Sequence, residues 1–114
     1  MDLKTYQKKC TKTAKVGRNP DIEIMNWGLG VAGEAGDLAG CIKKTVNHDN
    51  DQTQGIRENI GDAMWYLAMI CNFYGWDFEE ILDENIEKLN KRYADGKFTF
   101  KHARRNNTRI DWNE

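Results

Sequence analysis

An all-α fold is what the sequence predicts, and three observations predict it. No stretch sustains the period-two alternation of a half-buried strand, and β-branched clusters are few. Apolar residues instead recur three and four apart over long windows. Between those windows lie the helix breakers: Gly17-Arg18-Asn19-Pro20-Asp21, His48-Asp49-Asn50-Asp51, Gly75 and Asp95-Gly96. Four helices with short connections make a four-helix bundle the expected architecture. At 114 residues the chain reads as one domain, 1–114, with a modest core.

The first helix is expected from Leu3 to about Lys15, with Asp2 as its N-cap and Leu3, Tyr6, Cys10 and Thr13 on its inner face. The second starts near Asp21 and continues to about Asn47; His48, in the polar turn that follows, reads as solvated. The third covers Thr53 to Tyr74 and stops at Gly75, which suits the left-handed position after a helix. Asp77-Phe78-Glu79-Glu80 reads as a capping box that opens a fourth helix ending near Tyr93. The tail from Lys97 to Glu114 reads as irregular, with a basic group at Lys101, His102, Arg104 and Arg105.

The third helix is apolar most of the way round. Ile56, Ile60, Met64, Leu67, Cys71 and Tyr74 make one stripe, expected to face the home core. Trp65, Met69 and Phe73 make a second, expected to be exposed in a monomer and covered in an oligomer.

Charge and cysteine usage exclude several classes. With 17 basic and 18 acidic residues the net charge is −1, so there is no broad footprint for nucleic acid. Cys10, Cys41 and Cys71 are odd in number, lack metal-type spacing and sit among apolar residues. They read as buried, reduced thiols of a cytoplasmic protein. Met1-Asp2-Leu3-Lys4 leads into polar residues rather than a signal peptide. The longest apolar-rich run, Ala63 to Cys71, falls far short of the ~20 residues of a membrane span.

The chemistry gathers between Glu34 and Asp62. Glu34 and Asp37 are three apart and Glu58 and Asp62 four apart, so each pair shares a helix face. Their neighbours are Leu29, Val31, Ala32, Leu38 and Ile42 in one segment and Ile60, Ala63, Met64, Trp65 and Leu67 in the other. Acids set in the apolar parts of a chain of mean hydropathy −0.80 are not ordinary surface. Two such helices side by side would aim four carboxylates at one another, an arrangement that calls for a neutralising cation. Oxygen-only ligands favour Mg²⁺ or Mn²⁺ over zinc.

Gly28-Leu29-Gly30-Val31-Ala32-Gly33 matches the dinucleotide-binding fingerprint letter for letter. That motif needs a preceding strand, and here a helical pattern has already begun. Gly33, Gly36 and Gly40 are read instead as one small-residue side that lets another backbone, or a ligand, come close.

Taken together, these residues resemble the MazG-like nucleotide pyrophosphohydrolases of the all-α NTP pyrophosphatase superfamily, whose pattern is Glu-x-x-Glu, a spacer, then Glu-x-x-Asp. The resemblance starts at Tyr6-Gln7 and takes in Gly28 to Asp37 and Ile60 to Leu67. It continues through Asn85-Ile86-Glu87-Lys88-Leu89-Asn90-Lys91-Arg92-Tyr93. It implies hydrolysis of (deoxy)nucleoside triphosphates to monophosphate and pyrophosphate with Mg²⁺, or Mn²⁺, held by acids. On this chain Glu34 and Asp37 fill the first motif, Asp37 standing where the family usually has Glu. Asp62 closes the second, and Asn59 stands where the family usually has Glu. Either Asn59, through a neutral oxygen, or Glu58, one turn before Asp62, would complete the set of Glu34, Asp37 and Asp62.

Asn85, Lys88 and Arg92 fall at i, i+3 and i+7 on one helix face, which the resemblance turns toward phosphates, with Tyr93 packing beneath. Lys44 is a weaker candidate. Asn26, Trp27, Trp65 and Tyr66 are amphipathic groups near the acids, and of these Asn26 and Trp27 are the candidates for the base. The resemblance also implies a homodimer or homotetramer. The alternative reading is a non-hydrolytic helical module that binds a nucleotide or a partner, in which the Asn59 substitution has removed turnover.

Overall fold

Asp2 starts the first helix from outside it, its Oδ1 accepting the Thr5 N–H at 2.8 Å. The computed structural model describes residues 1–104. In it α1 runs Leu3–Cys10, and a 3-10 turn over Thr11–Thr13 carries it most of the way to the expected end at Lys15. Asn19 caps α2, Pro20–Asn47, by accepting the Asp21 N–H at 2.9 Å, while Pro20 takes the first helical position, where a missing donor costs nothing. Glu23 reaches back to the Arg18 N–H at 3.1 Å.

The connection to α3 is closed by its polar residues. The His48 and Asn50 N–H groups both donate to Lys44 O at 3.1 Å, with Asp49 between them at φ 48°. Asp51 Oδ1 accepts the Thr53 N–H at 3.0 Å. Helix α3 spans Thr53–Tyr74 and ends as expected: Gly75 takes φ 71° and the Trp76 N–H returns to Cys71 O at 2.9 Å.

Helix α4 spans Phe78–Arg92, and a short α5, Phe100–Arg104, occupies part of the stretch read as irregular. Thr99 explains it. Its Oγ1 accepts the His102 N–H at 3.1 Å and its O the Ala103 N–H at 3.0 Å. Arg105, the last member of the basic group, lies outside the described residues. The chain is all-α: five helices and no strand among the described residues. No helix among them is long and apolar enough to cross a membrane.

Two compact units divide the chain, Met1–Phe78 and the residues from Glu79 on. In the first, α2 and α3 form an antiparallel pair with α1 packed against α3. The facing residues step in opposite directions: Gly30 meets Tyr66, Cys41 meets Asn59 and Gly55, and Thr45 meets Gln52. Gln7 ties α1 to the far end of α3, donating to Asn72 Oδ1 at 3.0 Å and Trp76 O at 2.8 Å, and accepting the Phe78 N–H at 3.0 Å. Lys4 and Asp77 form an ion pair at 2.9 Å beside it.

The core corrects the reading of α3. Met69 is 4% exposed, at the centre of a core that also holds Cys10, Trp27, Ala68, Cys71 and Phe78. Trp65 and Phe73 are half-buried, and Trp65 Nε1 donates to Thr13 Oγ1 at 3.0 Å. The stripe expected to face home is divided: Cys71 is buried and Ile56 and Met64 are half-buried, whereas Ile60, Leu67 and Tyr74 are 51, 36 and 50% exposed. Both stripes are apolar, and periodicity alone does not say which one the partner helices take. In fact Trp65 is taken by Thr13 and by Trp27 of α2, and Met69 is buried. Cys41, expected to be buried, is half-exposed.

Nor does the small-residue side of α2 meet another backbone. A Cβ on Gly33, Gly36 or Gly40 would find nothing within 4 Å among the described residues. Close approach occurs at Gly30, where a Cβ would land on the Tyr66 ring.

Candidate active site

The antiparallel register that sets Gly30 against Tyr66 and Cys41 against Asn59 brings Glu34 of α2 level with Asp62 of α3. Asp37 follows Glu34 by nearly one turn, on the same side. Their mutual field is felt at Glu34. Its carboxyl is pushed above its ordinary value, first by partial loss of water, then by the charge of Asp62 and that of Asp37. Glu34 is half-buried, while Asp37 and Asp62 are exposed. Two helices thus bring three acids into one electrostatic neighbourhood.

Asn59 belongs to the seam between the helices: it is half-buried, and its Nδ2 donates to Cys41 Sγ at 3.4 Å. Glu58 is exposed, one residue further round α3, and shares a helix side with Asp62 at i, i+4. Among the described residues no three His, Cys, Asp or Glu side chains already stand together as a metal cage. Like charges on exposed side chains keep apart, and here the coupling at Glu34 is what reports their closeness.

On the α1 side, Tyr6 donates to Gly61 O at 3.4 Å. Burial, then Cys10 and then the charge of Asp62, push its phenol up to about 12, so Tyr6 is a neutral hydroxyl at the edge of the acids. Sequence reasoning placed Tyr6 on an inner face without tying it to Asp62; the signal available was its position in the Tyr6-Gln7 block. A cavity of about 330 Å³ opens here, lined by Met1, Asp2, Leu3, Tyr6, Gly61 and Met64.

Of the base candidates, Asn26 is half-buried and Trp27 is fully buried. The Trp27 ring is taken up by the core, 5.5 Å from the Trp65 ring edge-on and 6.3 Å from that of Tyr66. The second unit carries the basic candidates. On α4, Asn85 is exposed and Lys88 and Arg92 are half-buried. Tyr93, just past its end, packs between Phe98 at 5.8 Å and His102 at 6.2 Å. Lys44 is exposed on α2.

The model of the MazG nucleotide pyrophosphohydrolase domain matches residues 25–96, a stretch that takes in both acidic segments and the whole of α4. The chain belongs to the MazG family. It is 33% identical over 101 residues to the Gene 37 protein of Mycobacterium phage L5, covering 81% of this chain and 89% of that one. It is 29% identical over 70 residues to the uncharacterized protein YvdC of Bacillus subtilis (strain 168), covering 53% of this chain and 66% of that one. No solved structure matches the chain. Set against the MazG pattern, the first motif is Glu34-x-x-Asp37 and the second Asn59-x-x-Asp62. The register stacks the motifs in opposite senses, Glu34 level with Asp62 and Asp37 level with Asn59. The one neutral member of the second motif therefore lies opposite the shortened acid of the first.

Proposed function

We propose that this chain is a Mg²⁺-dependent nucleoside triphosphate pyrophosphohydrolase, with Mn²⁺ as a substitute ion, releasing monophosphate and pyrophosphate from a ribo- or deoxynucleotide. The observation that carries the reading is the convergence of Glu34, Asp37 and Asp62 from two helices, felt as a raised carboxyl at Glu34. An all-oxygen donor set of like charges fits a hard divalent cation and nothing softer. Glu34, Asp37 and Asp62 would hold it, with Glu58 or Asn59 completing the set. When bound, such an ion neutralises phosphate oxygens and orients a water for attack on phosphorus.

The protein groups supply the rest. An acid of this group with an oxygen free of the ion would take the proton of the attacking water. Tyr6, neutral and beside Asp62, would donate to a phosphate or sugar oxygen by giving up its 3.4 Å bond to Gly61 O. Asn85, Lys88 and Arg92, on one side of α4, are the candidates for phosphate contacts that the family resemblance implies, with Tyr93 as a further candidate. Asn26 is the base contact this reading favours, since Trp27 is committed to the core.

The proposal includes assembly as a homodimer or homotetramer in the cytoplasm, through the exposed Ile60, Leu67 and Tyr74 of α3. The deciding experiment is a panel of ribo- and deoxynucleoside triphosphates with Mg²⁺ or Mn²⁺, scored for monophosphate plus pyrophosphate. Diphosphate plus phosphate would mean another hydrolase. Binding without either product would make the chain a nucleotide-binding module.

A further inference from the structure

Cys41 has no place in the acidic motifs, yet it stands at their edge. It follows Asp37 by one turn of α2, so the two side chains share a side of that helix. Its Sγ is fixed from two directions. Asn59 Nδ2 donates to it at 3.4 Å, and a Cβ added to Gly55 would meet it at 3.0 Å, so Gly55 provides the space the sulfur occupies. The next turn locks the same seam: the Thr45 hydroxyl donates to Cys41 O at 2.8 Å and accepts the Gln52 N–H at 2.9 Å.

A carboxamide has a donor end and an acceptor end on one rigid plane. With Nδ2 on the sulfur, Oδ1 of Asn59 is the free end of the amide; Asp37 precedes Cys41 by one turn on α2, and Asp62 follows Asn59 by three residues on α3. The difference is chemical. A carbonyl oxygen ligates a hard cation, whereas an amide N–H repels it.

We propose that Cys41 is a positioning residue for the acidic site. By accepting from Asn59 Nδ2 it holds Oδ1 toward Glu34, Asp37 and Asp62 as a neutral oxygen ligand for the divalent cation. The inference rests on the hydrolase reading above and explains how a chain with Asn59 in place of an acid keeps a complete set of oxygens. The thiol itself does not touch the ion.

The test is Mn²⁺ binding to the full chain without nucleotide, read by titration calorimetry and by the electron paramagnetic resonance of free Mn²⁺. Cys41→Ala is expected to weaken binding about tenfold, the lower end of what loss of a ligand's supporting partner does. Cys41→Ser restores an acceptor and stays within about threefold of the parent. Gly55→Ala, whose Cβ would press on Sγ at 3.0 Å without touching an acid, is expected to weaken binding by less than Cys41→Ala does. The Cys41→Ala/Asn59→Ala double variant binds no more weakly than Asn59→Ala, because Cys41 acts through Asn59. Parent-like Mn²⁺ affinity in Cys41→Ala, or additive losses in the double variant, would overturn the role of Cys41. The hydrolase reading survives either result so long as Asp62→Asn lowers Mn²⁺ affinity; if Asp62→Asn binds like the parent, both fall together.

Discussion

Two glycine-to-alanine substitutions in the same helix should have opposite effects on stability. At Gly30 a Cβ would land on the Tyr66 ring. That ring cannot swing aside easily, because it stands 5.1 Å from the Trp65 ring and 6.3 Å from that of Trp27, which is buried. Forcing a methyl into such a contact costs about 1–3 kcal/mol. At Gly40 the same Cβ meets nothing within 4 Å, so Gly40→Ala keeps only the helix-propensity gain, up to about 1 kcal/mol. That gain is common to both variants and cancels in their difference. Gly30→Ala should therefore be less stable than Gly40→Ala by about 1–3 kcal/mol, or some 4–12 °C at about 4 °C per kcal/mol in a chain of this size.

Calorimetric and urea melts of the parent and both variants read the difference directly. Gly30→Ala melting with or above Gly40→Ala would show that Tyr66 does not pack on Gly30. The register that brings Glu34 level with Asp62 would fall with it. A Gly40→Ala protein less stable than the parent would show instead that this open side is covered in solution.

Four further outcomes are expected. Mn²⁺ at a hundred times its dissociation constant should stabilise the parent by about 2.7 kcal/mol, near 10 °C, and Asp62→Asn, binding about a hundredfold more weakly, by only about 2 °C; equal thermal shifts would remove Asp62 from the metal. Without the ion Asp62→Asn should melt at or above the parent at pH 7, since Glu34 loses a repelling neighbour, and the gain should fade as pH falls through the carboxylate range. Tyr6, raised to about 12, favours the fold as a neutral phenol below pH 10, a contribution lost as pH climbs toward 12; ultraviolet titration should show one late tyrosine that Tyr6→Phe removes, and early titration of all four would contradict it. Finally, Ile60→Glu with Leu67→Glu should lower the sedimenting mass, whereas a parent that is monomeric at active concentrations would rule out assembly through this face.

What was legible in the sequence, and what was not, follows from the kind of force involved. Helix ends are local events, so Asp2, Gly75 and the Gly17–Asp21 break could be read from residue type alone. The cap at Thr99 was just as local, but a five-residue helix in a basic stretch has too little apolar periodicity to announce itself. How the two sides of α3 divide between core and surface is not legible, because the choice is made by tertiary partners: Trp65 is held by Thr13 and Trp27, while Cys71 and Met69 are buried from opposite stripes. The acids were legible as types and spacings. The register that pairs Glu34 with Asp62 is a long-range property, fixed by Gly30, Tyr66, Cys41 and Asn59, none of which carries charge.

The charge at this site bears on why an uncharged residue is found in it. All three causes acting on the Glu34 carboxyl raise it: loss of water, Asp62 and Asp37. A fourth carboxylate at position 59, level with Asp37 and in contact distance of the half-buried Cys41, would add repulsion in the seam where α2 and α3 pack. Asn59 removes that repulsion and gains a hydrogen bond across the seam, so the helix pair is more stable without an ion. In the hydrolase reading proposed above, the cost would fall on cation affinity, because a neutral oxygen attracts a divalent ion less than a carboxylate does. Stability and ion binding pull in opposite directions at this one position, as they commonly do where like charges are gathered for function.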